Sequence, residues 1–262
     1  MSSVPSTSSK DFWEKQGREH GASKLAVNFD PIGEELPFKM LEEEVADGLA
    51  VCDLGCGNGR TLLRLAEARS NGYFVGFDFA ESMIETAEQR RLEMGLNNVS
   101  FHVFDASKDT MVADYIGAQD IVLTKRLLVN VRGAAKKNAV QLVHSLLKYG
   151  GKYIMMECFS GPLARINEIR EKLDLEAIQV NSFNEYLEDD FLEFLSPLFE
   201  IEKKIDYESL YYFISRIFNA VLSDGEPAYD APINKLAENL MKMGVNPIEG
   251  YSPEVGYILK KR

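Results

Sequence analysis

The sequence predicts an α/β fold: a doubly wound, mostly parallel sheet of seven strands, with helices on both faces and a helical C-terminal cap. The main observation is that short apolar runs alternate with amphipathic stretches between residues 50 and 160. Strand followed by helix, repeated, is typical of parallel strands joined by crossover helices. The second observation is the length of 262 residues, which suits one sizeable core with an appended piece.

Apolar runs without polar alternation predict the strands, because strands covered on both faces have no solvent side. These runs lie at 49–54, 73–78, 99–105, 119–125 and 152–159. Apolar residues at helical spacing predict intervening helices at 60–69, 80–95 and 133–151.

The pattern changes beyond residue 160. Helical spacing predicts insertions at about 160–197 and 209–244, the first including Leu187 and Phe191 on one helical face. Two further strands are expected at 198–207 and 256–262, the second as an edge strand. These insertions exceed what the sheet requires, so we expect them to select the substrate.

The N-terminal part divides into two segments. Residues 1–10 are polar and are expected to be a disordered tail. Residues 11–48 are expected to form lid helices ahead of the core domain at 49–262. The segment at 12–21 holds the single tryptophan, and a helix merely docked on the sheet explains it equally well.

Composition excludes several classes of protein. The chain has 41 acidic and 29 basic side chains, a net charge of -12, which disfavours broad binding to nucleic acid or an anionic membrane. No apolar run approaches the ~18 to 20 residues of a membrane span. Cys52, Cys56 and Cys158 fit reduced thiols in a cytoplasmic protein. A C-x3-C spacing with three histidines is a poor zinc signature, so we expect no metal.

A glycine-rich turn follows the first strand in the segment VCDLGCGNGR. Asp53 closes the strand, and Gly55, Gly57 and Gly59 follow at every second position. Glycines permit a tight turn and let the backbone approach a ligand closely. In a doubly wound sheet, ligands bind at the carboxyl ends of the strands, where this turn lies.

Two more carboxylates end the next strands. Asp78 ends the second strand, where its carboxylate can accept hydrogen bonds from both hydroxyls of a ribose. Asp105 ends the third strand, where it can contact the amino group of an adenine. A dinucleotide fingerprint would need glycine or alanine in place of Arg60. The pattern D-x-G-x-G-x-G instead resembles motif I of the class I S-adenosylmethionine-dependent methyltransferases, whose fold is Rossmann-like.

This resemblance implies S-adenosylmethionine as cofactor and S-adenosylhomocysteine as product. The cofactor carries a sulfonium and an ammonium group, which carboxylates accommodate. The cofactor-binding residues that the resemblance implies are Trp13, Asp53, Gly55, Gly57, Gly59, Asp78, Phe79, Met83, Asp105, Ala106, Thr124 and Lys125.

A second resemblance concerns the flanking segments, including TKRLLVNV at 124–131 and a W-x-x-Q-G-x-x-H-G segment at 13–21. They are similar to a subgroup associated with surface-polysaccharide or small-molecule pathways. The implied acceptor is a small polar molecule such as a sugar, a sugar nucleotide or a phosphorylated metabolite. The residues expected to face it are Arg126, Asn130, Glu157, Asn167, Arg170 and Asn184. Helix-surface or capping roles explain each of them equally well.

The predicted function is methyl transfer to an oxygen or nitrogen of a small molecule. A general base, if one is needed, would be Glu157 or His20, although a lone histidine is more often structural. The alternatives are an RNA or protein methyltransferase, a non-catalytic cofactor-binding partner subunit and, least favoured, a nicotinamide oxidoreductase. The segment TKRLLVN stands where an N-P-P-Y-like tetrad would indicate RNA or protein as substrate. The aromatic stripe at 211–221 suits a homodimer interface as well as a pocket wall for the acceptor, in which Tyr211 is a candidate. Arg216 is a cation on this largely apolar helix and is a further candidate acceptor residue, expected to pair with a carboxylate or an anionic ligand.

Overall fold

The computed structural model describes residues 8–108 and 113–262, and it contains a seven-stranded sheet with helices on both faces. The strands are β1 (Ala50–Leu54), β2 (Tyr73–Asp78), β3 (Val99–Val103), β4 (Gln119–Lys125), β5 (Leu147–Cys158), β6 (Phe199–Ile205) and β7 (Glu254–Lys261). Their order across the sheet is β3-β2-β1-β4-β5-β7-β6. Strands β1 to β5 pair in parallel, as predicted, whereas β7 runs antiparallel to both of its neighbours. The sheet is therefore mixed.

Ten α-helices lie in the described part of the chain. They are α1 (Ser9–His20), α2 (Phe38–Glu44), α3 (Arg60–Ala68), α4 (Glu81–Glu93), α5 (Ala134–Leu146), α6 (Ser160–Lys172), α7 (Phe191–Leu195), α8 (Ser209–Phe213), α9 (Asn219–Leu222) and α10 (Pro232–Lys242). A π-helical segment, Ile214–Phe218, joins α8 to α9 without a break. None of the described helices is both long and apolar enough to cross a membrane.

The strand at the C-terminal end is not an edge strand, contrary to prediction. β7 lies between β5 and β6, and the six residues from Glu254 to Leu259 are buried. The edges of the sheet are β3 and β6. The spacing of apolar residues indicates which faces of a strand are buried but not which strands lie beside it, and this explains the error.

The boundary between α5 and β5 also differs from prediction. The Gly150–Gly151 pair does not end helix α5. Instead β5 starts at Leu147, and its register with β4 shifts between Gln119 and Ile121. Such an irregularity accommodates extra residues within one strand.

The segment predicted as a helix around Leu187 is helical only at Phe191–Leu195. Leu187 instead forms a bridge with Phe159, and its N–H donates to the carbonyl of Cys158 at 2.9 Å. The apolar spacing therefore predicted the burial of Leu187 correctly. Its local structure was predicted wrongly, because this bridge and not a helix buries the residue.

The N-terminal residues 1–7, the larger part of the predicted tail, lie outside the described residues. Ser9 and Lys10 belong to helix α1 and not to a tail. Ser8 caps this helix, because its Oγ accepts a hydrogen bond from the Asp11 N–H at 3.1 Å.

Apolar side chains form a core on each face of the sheet. On one face, Leu62 of α3 and Ile84 of α4 pack with Met241 of α10. On the other face, Val140 of α5 packs with Phe199 of β6. The carboxyl ends of β1, β2 and β4 meet at one edge of this layered structure, where the candidate site lies.

Candidate active site

The turn after β1 has the backbone conformation that its glycines predict. Gly55, Gly57 and Gly59 have φ values of 81°, 53° and 72°, in the left-handed region that other residues rarely adopt. A Cβ on Gly59 would lie 2.7 Å from the ring of Phe101, so this position also requires the small residue for packing. The Gly55 N–H donates to the carbonyl of Phe77 at 2.7 Å, which fixes the turn beside β2.

Asp78 ends β2 and is linked to this turn. Its Oδ2 accepts a hydrogen bond from the Gly57 N–H, and its Oδ1 accepts one from the Ala80 N–H, each at 2.9 Å. Burial raises the pKa of Asp78 to about 6, although the backbone donors favour the ionised form. The carboxylate therefore holds the turn and the start of α4 together.

Asp53 is a buried carboxyl group with unsatisfied hydrogen-bonding capacity. It is 3% exposed, and its Oδ1 has no hydrogen-bond partner among the described residues. Burial raises its pKa to about 8, despite the nearby ammonium of Lys125, and the neighbouring Asp78 adds to the effect. An orphaned buried acceptor is costly, so this position suits a ligand that brings a cation or a hydrogen-bond donor.

A cavity opens between the turn and the chain that follows β4. Its lining residues are Trp13, Val27, Gly55, Gly57, Asp78, Phe79, Met83, Lys125, Arg126, Leu127 and Asn130. It brings together seven of the predicted cofactor residues and two of the predicted acceptor residues. Val27 and Leu127 were not predicted, because a single aliphatic residue in a loop has no distinguishing pattern.

Helix α1 borders the cavity through Trp13. The Trp13 Nε1–H donates to Oδ1 of Asn130 at 3.0 Å, which ties α1 to the chain after β4. Glu14 accepts a hydrogen bond from the Glu81 N–H at 2.8 Å and so caps helix α4. The N-terminal helix is thus joined to elements on two sides of the cavity.

The remaining predicted cofactor residues do not line the cavity. Thr124 is buried, with its Oγ1 hydrogen-bonded to the hydroxyl of Tyr153 at 2.8 Å. Asp105 accepts a hydrogen bond from the Ser107 N–H at 3.0 Å and forms an ion pair with Lys108 at 2.9 Å. Asp53, Gly59 and Ala106 also lie outside the lining.

Of the two predicted general bases, neither lines the cavity. Glu157 is fully buried, and its carboxylate accepts hydrogen bonds from the backbone N–H groups of Leu127 and Leu128 at 3.1 and 3.0 Å. Burial raises its pKa to about 7. In this geometry Glu157 holds the loop that carries Leu127, and its role as a general base stays a prediction. His20 ends α1, away from the cavity lining.

The other predicted acceptor residues have structural partners. Asn184 lies behind the cavity, where its Nδ2 donates to Asn130 Oδ1 at 3.0 Å. Asn167 accepts a hydrogen bond from the Ile178 N–H at 2.8 Å. Arg170 donates to the carbonyl oxygens of Glu176 and Arg216. These contacts support the capping interpretation for Asn167 and Arg170.

A buried cluster of charged and phenolic groups adjoins the cavity at Arg126. We call it the polar cluster, and its members are Asp30, Glu34, Lys125, Arg126, Tyr207, Glu208, Tyr211, Tyr212, Arg216 and Glu254. Only Lys125, Arg126, Tyr211 and Arg216 among them were predicted from the sequence. The acidic members lie in loops or at element ends, where no periodicity marks them.

Ion pairs organise this cluster. Glu34 accepts hydrogen bonds from Lys125 Nζ at 2.7 Å and from Arg126 Nη2 at 2.8 Å. Burial alone would raise the pKa of Glu34, but these two cations hold it below its usual value. Arg216 donates to Asp30 Oδ2 at 2.8 Å. The sequence had suggested either a carboxylate or an anionic ligand as the partner of Arg216, and the partner is this carboxylate.

Comparisons with known proteins agree with this architecture. A family model described as a methyltransferase domain matches residues 46–212. Carboxy-S-adenosyl-L-methionine synthase from Campylobacter fetus is 28% identical over 152 residues, which cover 55% of this chain and 62% of that protein. Ubiquinone biosynthesis O-methyltransferase from Leptothrix cholodnii is 29% identical over 127 residues, covering 47% of this chain and 52% of that protein. The chain thus spans less than two thirds of the length of these relatives.

A solved structure extends the likeness over nearly the whole chain. Magnesium protoporphyrin IX methyltransferase from Synechocystis, with bound S-adenosylhomocysteine, matches with a TM-score of 0.56 at 14% identity. The match covers 96% of this chain and 94% of the other. At this identity the likeness concerns the fold, which is Rossmann-like.

Proposed function

Because the chain belongs to the family of proteins with a methyltransferase domain, we propose that it is an S-adenosylmethionine-dependent enzyme that methylates an oxygen or nitrogen atom of a small polar metabolite. The observation that carries this proposal is the cavity at the carboxyl ends of the strands. It runs from the glycine turn and Asp78 to Arg126, where the polar cluster begins.

The residues present fit the cofactor. The orphaned acceptor of Asp53 suits a cationic ligand, and the glycine turn leaves room where a Cβ on Gly57 would lie 2.9 Å from Val27. We assign the ribose hydroxyls to Asp78 and the adenine ring to the side chains of Phe79 and Met83. Bound S-adenosylmethionine supplies an electrophilic methyl group on its sulfonium.

The protein contributes positioning and exclusion of water. Trp13, Val27 and Leu127 place apolar surface around the cavity, which favours a methyl acceptor over bulk water. Arg126 and Asn130 border the side of the cavity toward the polar cluster, so we assign acceptor positioning to them.

The acceptor class is a separate part of the proposal. A sugar or a phosphorylated precursor of a surface polysaccharide is one candidate, from the resemblance of the flanking segments. The pairing of both Arg126 and Arg216 with carboxylates supports an acceptor without a phosphate group instead. The relative from Leptothrix cholodnii, whose name gives it as an O-methyltransferase of ubiquinone biosynthesis, supports a small-molecule acceptor.

Isothermal titration calorimetry with S-adenosylhomocysteine tests the cofactor assignment. We expect tight binding to the wild type and at least about tenfold weaker binding to Asp78→Ala, because one lost charged acceptor costs about 1.5–3 kcal/mol. Asp224→Ala, an exposed position, is the matched control. Equal binding by Asp78→Ala and the wild type contradicts the assignment.

Transfer of a labelled methyl group tests the activity. The wild type is incubated with labelled S-adenosylmethionine and, separately, with a small-molecule extract and with bulk RNA. We expect label only in small molecules. Label in RNA favours the nucleic-acid alternative, and binding without any transfer favours a non-catalytic partner subunit.

A further inference from the structure

We infer that Glu208, at the junction of β6 and α8, forms an ammonium-binding subsite, and that the methyl acceptor carries an amine. The inference rests on the proposed function and deepens it by naming a substrate class. It is carried by the unbalanced charge of the polar cluster, by the open oxygen of Glu208 and by the tyrosines beside it.

The subsite lies next to the cavity. Arg126 lines the cavity, and its Nε lies 3.8 Å from Oε2 of Glu254. Glu254 also accepts a hydrogen bond from the hydroxyl of Tyr207 at 2.6 Å. Glu208, which follows Tyr207 in the chain, interacts electrostatically with Glu254 and Asp30. A molecule that passes Arg126 therefore meets this group of carboxylates.

The cations of the cluster are already paired. Lys125 and Arg126 bind Glu34, and Arg216 binds Asp30. Glu208 interacts electrostatically with Arg216 but forms no ion pair with any described side chain. The cluster thus holds four carboxyl groups, of Asp30, Glu34, Glu208 and Glu254, against three cations. With all four carboxyl groups ionised, an added cation would balance the cluster, whereas an added anion would not.

Glu208 also has an oxygen free to accept a hydrogen bond. The residue is 5% exposed, and its Oε1 accepts from the hydroxyl of Ser252. No described residue donates a hydrogen bond to its Oε2, which lies at 3.5 Å from where a Cβ of Gly33 would stand. Burial, together with the charges of Glu254 and Asp30, raises the pKa of Glu208 well above its usual value. An ammonium beside it would supply the missing donor and favour the ionised form.

Aromatic rings complete the environment. Tyr207 and Tyr212 both interact electrostatically with Glu208. The guanidinium of Arg216 lies 4.8 Å from the ring centre of Tyr212 and 5.1 Å from that of Tyr229. These rings already hold one cation, and carboxylates combined with aromatic faces are the surroundings that recognise ammonium ligands.

Solvent reaches the two arginines of this region. The side chains of Arg126 and Arg216 keep 21% and 19% of their surface exposed. The carboxylates that they bind, of Glu34 and Asp30, are almost fully buried. The arginines therefore keep contact with solvent while the carboxylates that they bind are shielded from it.

Three probes with related skeletons test the inference: 2-phenylethylamine, 2-phenylethanol and phenylacetate, which differ in charge. Each is titrated into the protein saturated with S-adenosylhomocysteine, and its Kd is measured by calorimetry. We expect the amine to bind at least about tenfold more tightly than the alcohol, and phenylacetate to bind most weakly. In Glu208→Gln the preference for the amine should vanish, whereas Glu238→Gln on the surface of α10 should keep it.

The outcomes separate the two proposals. If S-adenosylhomocysteine does not bind the wild type, the proposed function fails. If it binds but the amine has no advantage over the alcohol, or if none of the probes binds, the ammonium subsite is wrong and the proposed function stands. If Glu208→Gln does not fold, the order of the three wild-type affinities still tests the amine-bearing acceptor, because an amine that does not bind first contradicts it.

Discussion

The indole N–H of Trp13 donates a hydrogen bond to Oδ1 of Asn130, so a residue of the first helix is fastened to the chain that follows β4. The same oxygen accepts a hydrogen bond from Asn184. Trp13 and Asn130 both line the cavity, which makes this bond part of its wall. It joins positions 117 residues apart in the sequence.

Replacing Asn130 by alanine should loosen helix α1 and weaken cofactor binding. We expect the Kd of S-adenosylhomocysteine to rise about tenfold, which is the loss of about 1.4 kcal/mol from the broken contacts. Trp13 is the single tryptophan of the chain, so its fluorescence reports binding directly. Asn97→Ala, at an exposed position, should bind as the wild type does. Unchanged affinity in Asn130→Ala would show that this bond does not support the site.

Substituting Gly57 by alanine should damage binding more than stability. The residue has a φ of 53°, and an added Cβ would lie 2.9 Å from Val27 in the cavity wall. We expect loss of detectable S-adenosylhomocysteine binding, and a fall of about 1–2 kcal/mol in the free energy of unfolding from backbone strain. Urea denaturation and calorimetry measure the two effects.

Gly95→Ala is the matched control for this variant. Gly95 has a φ of 67° and no atom within 4 Å of its added Cβ, so it introduces strain without a clash. It should lose similar stability and keep its affinity. If both variants lose binding equally, strain alone explains the effect and the Gly57 contact does not.

Substituting Glu157 by glutamine should reduce stability rather than act on a proton-transfer step. Its carboxylate serves backbone donors of the loop after β4. Leaving such a donor unsatisfied costs about 1–3 kcal/mol, or about 2–12 °C in Tm for a chain of this size. Glu200→Gln, exposed on β6, should leave Tm unchanged. A normal Tm with loss of turnover and of the acidic limb of the pH profile would restore the role of general base.

Binding of S-adenosylmethionine should release protons near neutral pH. Burial places the pKa of Asp53 at about 8 and that of Asp78 at about 6, so both carboxyls ionise more readily once a cation lies beside them. Affinity should therefore fall as the pH is lowered from 8 to 6. Calorimetry at pH 7 in phosphate and in Tris measures the protons released, and Asp53→Asn should release fewer. Proton uptake on binding contradicts this assignment.

The raised pKa values of Asp53 and Asp78 have the opposite effect on the stability of the fold: stability falls as the pH rises. A raised pKa means that the native state binds protons more tightly than the unfolded chain, so these groups lower the free energy of unfolding as pH rises above about 4. Asp53→Asn should accordingly have a higher Tm than the wild type at pH 8, with a smaller difference at pH 5. A lower Tm at both values would show that the ionised group is stabilised by contacts.

Local pattern was sufficient to predict β1 to β4 and the glycine turn. Each of these depends on neighbours in the sequence: burial on both faces gives an apolar run, and a tight turn needs glycine. The prediction of β7 as an edge strand was wrong. Its pairing with β5 joins residues such as Glu157 and Val255, about a hundred residues apart, and leaves no pattern in the sequence of either segment.

Most residues of the polar cluster could not be predicted from the sequence, for a similar reason. Arg216 was noticed as a cation on an apolar helix, but its partner Asp30 lies 186 residues earlier. Glu157 was predicted as a candidate base because a carboxyl at a strand end suggests chemistry equally whether it faces a cavity or caps a buried loop. Three-dimensional contacts decide between these cases.

β7 lies one strand in from the edge of the sheet, and this position imposes an order on folding during synthesis. Among the described strands β6 pairs with β7 alone, and the first residue of β7 emerges from the ribosome about fifty residues later. The parallel strands and the glycine turn can be assembled while β6 still lacks its partner. Glu254, at the start of β7, joins the polar cluster only when that strand is inserted. Cofactor binding and acceptor binding should consequently arise at different times during translation.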